Sequence, residues 1–218
     1  MLRKIFICAM LAAVLLLSGC GEEKILGSPD KAILAYAETV MTGDSENLSA
    51  AGFSEEDKNA IRYAVKEKFI DSMKSIAPLS NESAAQIMNA YFDRFKGETK
   101  LSVALSRDNS ERPIVALTAT TIDQGSAAKM AGKNDEFIAL IGMVGKLKSD
   151  GATDEQLKEN PEVQALAVTA MEKYIGDLTF RPEKTLEIPC KKVAGSDGNN
   201  HWAPVEEEAF INFLVGEN

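Results

Sequence analysis

The feature that most restricts the fold of this chain is a change in the spacing of its apolar residues. The predicted elements follow the order helices, hairpin, helices, hairpin. This order is typical of a chain that forms an antiparallel sheet with one buried face. We therefore predict an α+β fold, with an antiparallel sheet of about four strands (two hairpins) and helices packed on one face. Helical spacing covers residues 28–97 and 126–178, and the alternation typical of strands covers 101–106, 114–122, 185–190 and 201–205.

Local signals place several element boundaries. Ser28-Pro29 is a typical helix start, Ser54 and Asp57 form a capping-box pattern, and Asn160-Pro161 restarts a helix. We predict a single α+β domain over residues 28–218, with a helical insertion at about 125–178. 

Two prolines fall within the last two predicted strands. Pro189 and Pro204 each lack the N–H that a strand donates to its neighbour. Each therefore removes one ladder hydrogen bond. We expect both residues at a sheet edge or beside a bulge.

The amino terminus has the three regions of a secretory signal. Arg3 and Lys4 supply positive charge, residues 5–17 are apolar, and Ser18-Gly19 are small. The apolar run is shorter than the roughly 20 residues that span a bilayer. The segment Leu17-Ser18-Gly19-Cys20 resembles the lipobox of bacterial lipoproteins.

That resemblance implies that residues 1–19 are a signal peptide and that Cys20 becomes an acylated amino terminus. The alternative is an ordinary secretory signal, although that class ends in a small-x-small pattern. Residues 20–27 would form a short tether, at most about 3.3–3.6 Å per residue, which holds the domain close to the membrane. We expect a cell-membrane, lipid-anchored protein on the extracytoplasmic face.

Charge and composition exclude several functions. Losing Arg3 and Lys4 with the signal leaves 22 bases against 33 acids, a formal charge of −11. Such a chain is repelled by nucleic acid, so no nucleic-acid partner is expected. Cys190 would be the one cysteine left unmodified and His201 is the one histidine, which argues against a disulfide or a clustered metal site. We predict no metal and no cofactor.

A second resemblance concerns the ends of the domain. The Ser28-Pro29 helix ending at Gly43-Asp44, and the Asp197-Gly198 turn leading to Trp202, resemble uncharacterised bacterial lipoproteins of a domain of unknown function. These are loosely related to the nuclear-transport-factor-like and cystatin-like α+β folds. Trp202 lies further from the glycine than in the usual pattern. The resemblance implies an extracytoplasmic module without an established activity.

Motifs with catalytic chemistry are weak. Ser126 and Lys129 have the spacing of the nucleophile and base of penicillin-recognising enzymes, but the companion motifs are missing. The segment from Gly142 to Lys146 partly matches a phosphate-binding loop, yet it lies in a helical pattern where glycines would allow close helix packing. We predict no catalytic residues.

Acidic runs and the cysteine could also carry chemistry. The acids at 154–155 and 206–208 lack the spacing of a calcium loop and suit first helical turns, where they face the helix dipole. Cys190 is in phase with the buried side of its strand. That position predicts a small core residue in preference to a reactive thiol.

Candidates for ligand contact are His201, Trp202 and Tyr91. His201-Trp202 lies on a short strand beside a turn, and Tyr91 could line a pocket between helices and sheet. Each is also a reasonable core residue, as are Tyr36 and Tyr174.

These observations predict a non-catalytic binding or interaction module that meets an envelope protein or a small molecule at the membrane. Two alternatives remain open. A cell-envelope hydrolase would need a carboxylate pair or an activated Ser126 in a cleft. A structural envelope component would need neither.

The lipobox assignment is tested by Cys20→Ala. Without the thiol there is no acyl acceptor, so we expect full-length, unacylated precursor by mass spectrometry of the membrane fraction. Normal processing of that variant would contradict the assignment.

Overall fold

The structure is a computed structural model, and it describes residues 25–216; the predicted signal peptide and the predicted acylation site, Cys20, lie outside them. Nine helices and four strands occur in this range. In chain order they are α1 (Pro29–Thr42), α2 (Glu46–Ala50), α3 (Glu55–Ile76), α4 (Asn81–Glu98), β1 (Leu101–Arg107), β2 (Ile114–Ala119), α5 (Gln124–Ala131), α6 (Asp135–Ser149), α7 (Asp154–Glu159), α8 (Pro161–Gly176), β3 (Lys184–Ala194), β4 (Asn200–Pro204) and α9 (Glu207–Leu214).

The strands form one antiparallel sheet in the order β1-β2-β3-β4. The long strand β3 has two partners: its first half pairs with β2 as far as Pro189, and its second half pairs with β4 from Cys190 onward. Pro189 therefore lies inside the sheet, at the point where one partner of β3 ends and the other begins. Pro204 ends the edge strand β4, where a missing N–H is tolerated.

Helices cover one face of this sheet. In β2 the buried residues Val115, Leu117 and Ala119 alternate with less buried ones, as in a strand with one face on the core. Helix α1 packs against β1, β2 and β4 on that face, and α9 packs against β4. The predicted fold class, an α+β protein with a four-stranded antiparallel sheet, is confirmed.

A second apolar cluster lies among the helices themselves. It joins α3 and α4 to α6, α7 and α8, and the last three belong to the segment between β2 and β3. Tyr91 and Tyr174 pack against both this cluster and the cluster under the sheet. The two clusters are therefore in contact, while the single-domain boundaries stay a prediction.

Asn134 connects two helices of this second cluster. It is 4% exposed, and its side-chain oxygen accepts from the Phe137 N–H at 2.9 Å and caps α6. Its amide nitrogen donates to the Ala170 carbonyl in α8 at 3.1 Å. One side chain therefore begins α6 and fixes it to α8.

We expect Asn134→Ala to lower the free energy of unfolding by about 2–3 kcal/mol, from a lost cap and a lost buried hydrogen bond. Asn134→Ser keeps a capping oxygen and should lose about 1 kcal/mol, because only the bond to Ala170 is removed. Urea unfolding of both variants measures this. Equal losses in the two variants would show that the capping oxygen contributes nothing.

Candidate functional site

The first candidate site is the hairpin of β3 and β4, with the start of α3 beside it. The Ser54 and Ser196 hydroxyls are 2.7 Å apart, and the Ser196 N–H donates to Asp57 Oδ1 at 3.4 Å. Ser54 and Asp57 also form the capping box of α3, as the sequence predicts. The same carboxylate thus begins a helix and holds the hairpin turn.

His201 is enclosed by this arrangement. It is 6% exposed, and its ring packs on that of Phe53 with 4.2 Å between centroids. Its Nδ1 is buried and has no hydrogen-bond partner among the described residues. Burial lowers the pKa of His201, and the nearby Asp57 and Asp197 partly oppose that shift. The imidazole is consequently neutral near pH 7.

Trp202 is adjacent to His201 but points elsewhere. Successive strand residues face opposite sides of a sheet, so the two rings do not line one surface. Trp202 is buried and belongs to the core under the sheet. The Lys192 ammonium lies 5.9 Å from the centre of its ring and 2.9 Å from Glu111 Oε1. Ligand contact by His201 or Trp202 stays a prediction.

Tyr91 lies in a different region, within an aromatic group from α3 and α4. Its ring centroid is 4.3 Å from that of Phe95 and 5.0 Å from that of Phe69. Burial raises the pKa of Tyr91, and its role as a ligand contact also stays a prediction. The three candidates therefore do not converge on one cavity.

The sequence does not indicate one long-range pair. The Tyr36 hydroxyl on α1 donates to Glu207 at the start of α9, and burial together with this carboxylate raises the pKa of Tyr36. A shallow groove of about 420 Å³ runs along residues 206–209 and 212. No local pattern could have found the pair, since it joins residues from the two ends of the domain.

The candidate nucleophile lacks an activating partner in the described structure. The Ser126 hydroxyl donates to Met130 Sδ at 3.5 Å, and Lys129 makes no hydrogen bond to it among residues 25–216. The neighbouring Asp123 caps α5 and pairs with Arg181 at 3.3 Å. The hydrogen bond from the Ser126 N–H lowers the pKa of Asp123, so this carboxylate is ionised at neutral pH.

Cys190 and the acidic side chains also have structural surroundings. Cys190 is fully buried, and burial raises its pKa to about 11. The thiol is therefore protonated near neutral pH, as expected of a core residue. In the described part of the chain no three His, Cys, Asp or Glu side chains come close enough to hold a metal ion.

The glycines of α6 correct one expectation. The sequence predicts that Gly142 and Gly145 allow close helix packing, yet a Cβ at either position would meet no atom within 4 Å. Both residues are exposed, and Gly142 borders a groove whose other side includes Glu162 at the start of α8. The expected packing is therefore not found within residues 25–216.

No family model matches the chain, and comparison with curated proteins gives no significant match. Among solved structures the fold is similar to a crystal structure of YcdA from Bacillus subtilis, a presumed lipoprotein, at 18% sequence identity and a TM-score of 0.57. The match covers 88% of this chain and 56% of that one, so this chain spans little more than half the length of YcdA. At this identity the likeness extends to the fold, and the nuclear-transport-factor-like relationship stays a prediction.

The structure also bears on membrane attachment. No helix in residues 25–216 is both long and apolar enough to cross a membrane.

The buried His201 predicts a pH-dependent stability. Its folded pKa lies below the unfolded value of about 6.5, so the unfolded chain takes up the proton first as pH falls. The neutral imidazole contributes fully to the free energy of unfolding above about pH 6.5. This contribution is lost as pH falls toward the pKa of His201 in the folded protein. The free energy of unfolding of the wild type should thus decrease as pH falls below about 6.5.

The matched variant is His201→Phe, which keeps an aromatic ring against Phe53 and cannot titrate. Urea unfolding near neutral pH and near pH 5 gives the free energy of unfolding of both proteins. Lowering the pH should decrease this free energy more in the wild type than in the variant. An equal decrease in the two proteins would contradict a buried, neutral imidazole.

Proposed function

We propose that this chain is a lipid-anchored extracytoplasmic protein whose domain is a non-catalytic module that binds an extended segment of an envelope protein. The observation that carries the proposal is the free edge of the sheet at β1. Within residues 25–216, β2 is the one strand that pairs with β1, on one side of it. The backbone groups on its other side are a template for strand addition.

The side chains of β1 support this use. On the face away from α1 the strand presents Ser102, Ala104 and Ser106, which are exposed, small and uncharged. Natural edge strands are commonly protected by lysine, proline or a bulge. On β1 the charged residue is Arg107, which follows a register shift after Leu105. The part of the strand before that shift is free to pair.

Membrane attachment is supported by the lipobox and by the short tether that follows it. Ile25, five residues after Cys20, bridges Asn200 in β4. Five residues span at most about 18 Å, which keeps the domain next to the lipid. The likeness in fold to YcdA, itself described as a presumed lipoprotein, agrees with this assignment.

The hydrolase alternative has less support. Ser126 bonds to a thioether sulfur, and Asp123 is committed to a cap and an ion pair. A general acid needs a raised pKa, whereas the carboxylates in residues 25–216 whose pKa is shifted all have a lowered one. In the groove beside α9, Glu207 already accepts a hydrogen bond from the Tyr36 hydroxyl.

The test is site-specific photo-crosslinking in intact cells. A photoreactive phenylalanine analogue at Ser102 should give a discrete adduct with a second protein, because the partner strand would lie beside β1. The same analogue at the exposed Ala165 on α8 is the matched control and should give no such adduct. Equal crosslinking at the two positions would contradict the proposal.

A second substitution identifies the mode of binding. Ala104→Lys, made in the protein that carries the photoreactive analogue at position 102, should abolish the adduct. A charged side chain on an edge strand opposes pairing with another strand. Ala116→Lys puts the same charge on β2, directly opposite Ala104 and flanked by strands on both sides, and should leave the adduct unchanged. An adduct that survives Ala104→Lys would contradict strand addition. Labelling by a fluorophosphonate probe that is lost in Ser126→Ala would favour the hydrolase.

A further inference from the structure

The exposed side of α6 carries two large aliphatic side chains. Ile138 is 55% exposed and Ile141 is 67% exposed, although Leu140 on the opposite side of the same helix is buried in the helical cluster. Helix α6 contacts α8 through that buried side. Its isoleucine side therefore has no partner among residues 25–216.

The two glycines of α6 lie on this same side. At 100° per residue, Ile138, Ile141, Gly142 and Gly145 fall within one face of the helix. Glycine in the interior of an exposed helix weakens it relative to alanine, and no atom of the described chain approaches either position. A second helix that approaches closely would use the space that the missing side chains leave.

The order of these residues is complementary to itself. When two α6 helices lie antiparallel about a two-fold axis between positions 141 and 142, Ile138 of one copy faces Gly145 of the other near the centre of the face. On one flank Ile141 meets Ile141 of the other copy, and on the other flank Gly142 meets Gly142. The isoleucines thus pack on each other and on the glycines, which is the self-complementary pattern that a two-fold interface requires.

The charges select the same orientation. Asp135 begins α6 and Lys146 lies in its last turns, both are exposed, and neither forms an ion pair within the described chain. In the antiparallel pair the two residues lie on the same flank, with Asp135 of one copy near Lys146 of the other. In a parallel pair they would stand about 16 Å apart along the axis, and the helix dipoles would be aligned unfavourably.

We propose that the face formed by Ile138, Ile141, Gly142 and Gly145 is a self-association surface, on which two copies of this chain pair through antiparallel α6 helices. The occupant is a second copy because the face complements itself in both shape and charge. This surface is separate from the β1 edge and does not depend on strand addition.

The test is disulfide trapping of the full-length, membrane-attached protein. Gly142→Cys lies next to the two-fold axis, so copper phenanthroline should convert it to a covalent dimer. Cys190 is fully buried and does not compete. Ala165→Cys, exposed on α8, is the control and should remain monomeric.

A second substitution identifies the contact. Gly145→Leu in the Gly142→Cys background fills the space that Ile138 of the other copy needs and should reduce the trapped dimer roughly tenfold. Because a Cβ at Gly145 would meet no atom within 4 Å among residues 25–216, the monomer should fold normally. Gly97→Leu in α4, another open helical position, is the matched control and should leave trapping unchanged.

The charge pair gives an independent readout. Asp135→Lys should weaken trapping, and adding Lys146→Asp should restore it. Trapping of Gly142→Cys no greater than that of Ala165→Cys would overturn the proposal. So would a disulfide to a different protein in place of the dimer, a dimer unaffected by Gly145→Leu, or a charge exchange that fails to restore trapping.

Discussion

The structure depends on the packing of α1 between the sheet and the remaining helices. Within the described chain α1 contacts three strands and also α2, α3, α4 and α9. Its buried side chains are mostly small, and Ala32, Ala35 and Ala37 lie on more than one side of the helix. Small residues let neighbouring elements approach closely, so one helix covers the sheet and also supports the helical cluster.

Among the described residues this arrangement leaves two surfaces without cover. One is the outer side and free edge of β1, because α1 lies on the other face of the sheet. The second is the isoleucine side of α6, which is connected to α1 through α4 and α8. Both elements are held by their buried sides, so both surfaces can be presented to partners without rearrangement.

Several polar side chains hold elements together. Asn134 fixes α6 to α8, Asp57 fixes the start of α3 to the hairpin, and Tyr36 joins α1 to α9. His201 is an exception, since its Nδ1 lacks a partner among the described residues. Side chains used in this way fix the relative positions of helices and strands.

The sequence by itself determined the order of elements, most of their boundaries and the fold class. Period and capping are local properties, so Ser54, Asn160 and Gly43 mark helix ends without reference to the rest of the chain. It did not indicate the short helix α2, whose five residues are too few to show a period.

Only the tertiary structure decided what each apolar face meets. Periodicity shows which residues share a face, but it cannot tell whether that face packs against the chain or remains open. The sequence predicted internal packing at Gly142 and Gly145, which are exposed. It predicted a sheet edge or a bulge at Pro189, which lies where β3 changes partners. Both outcomes follow from contacts between distant segments, which no local spacing records.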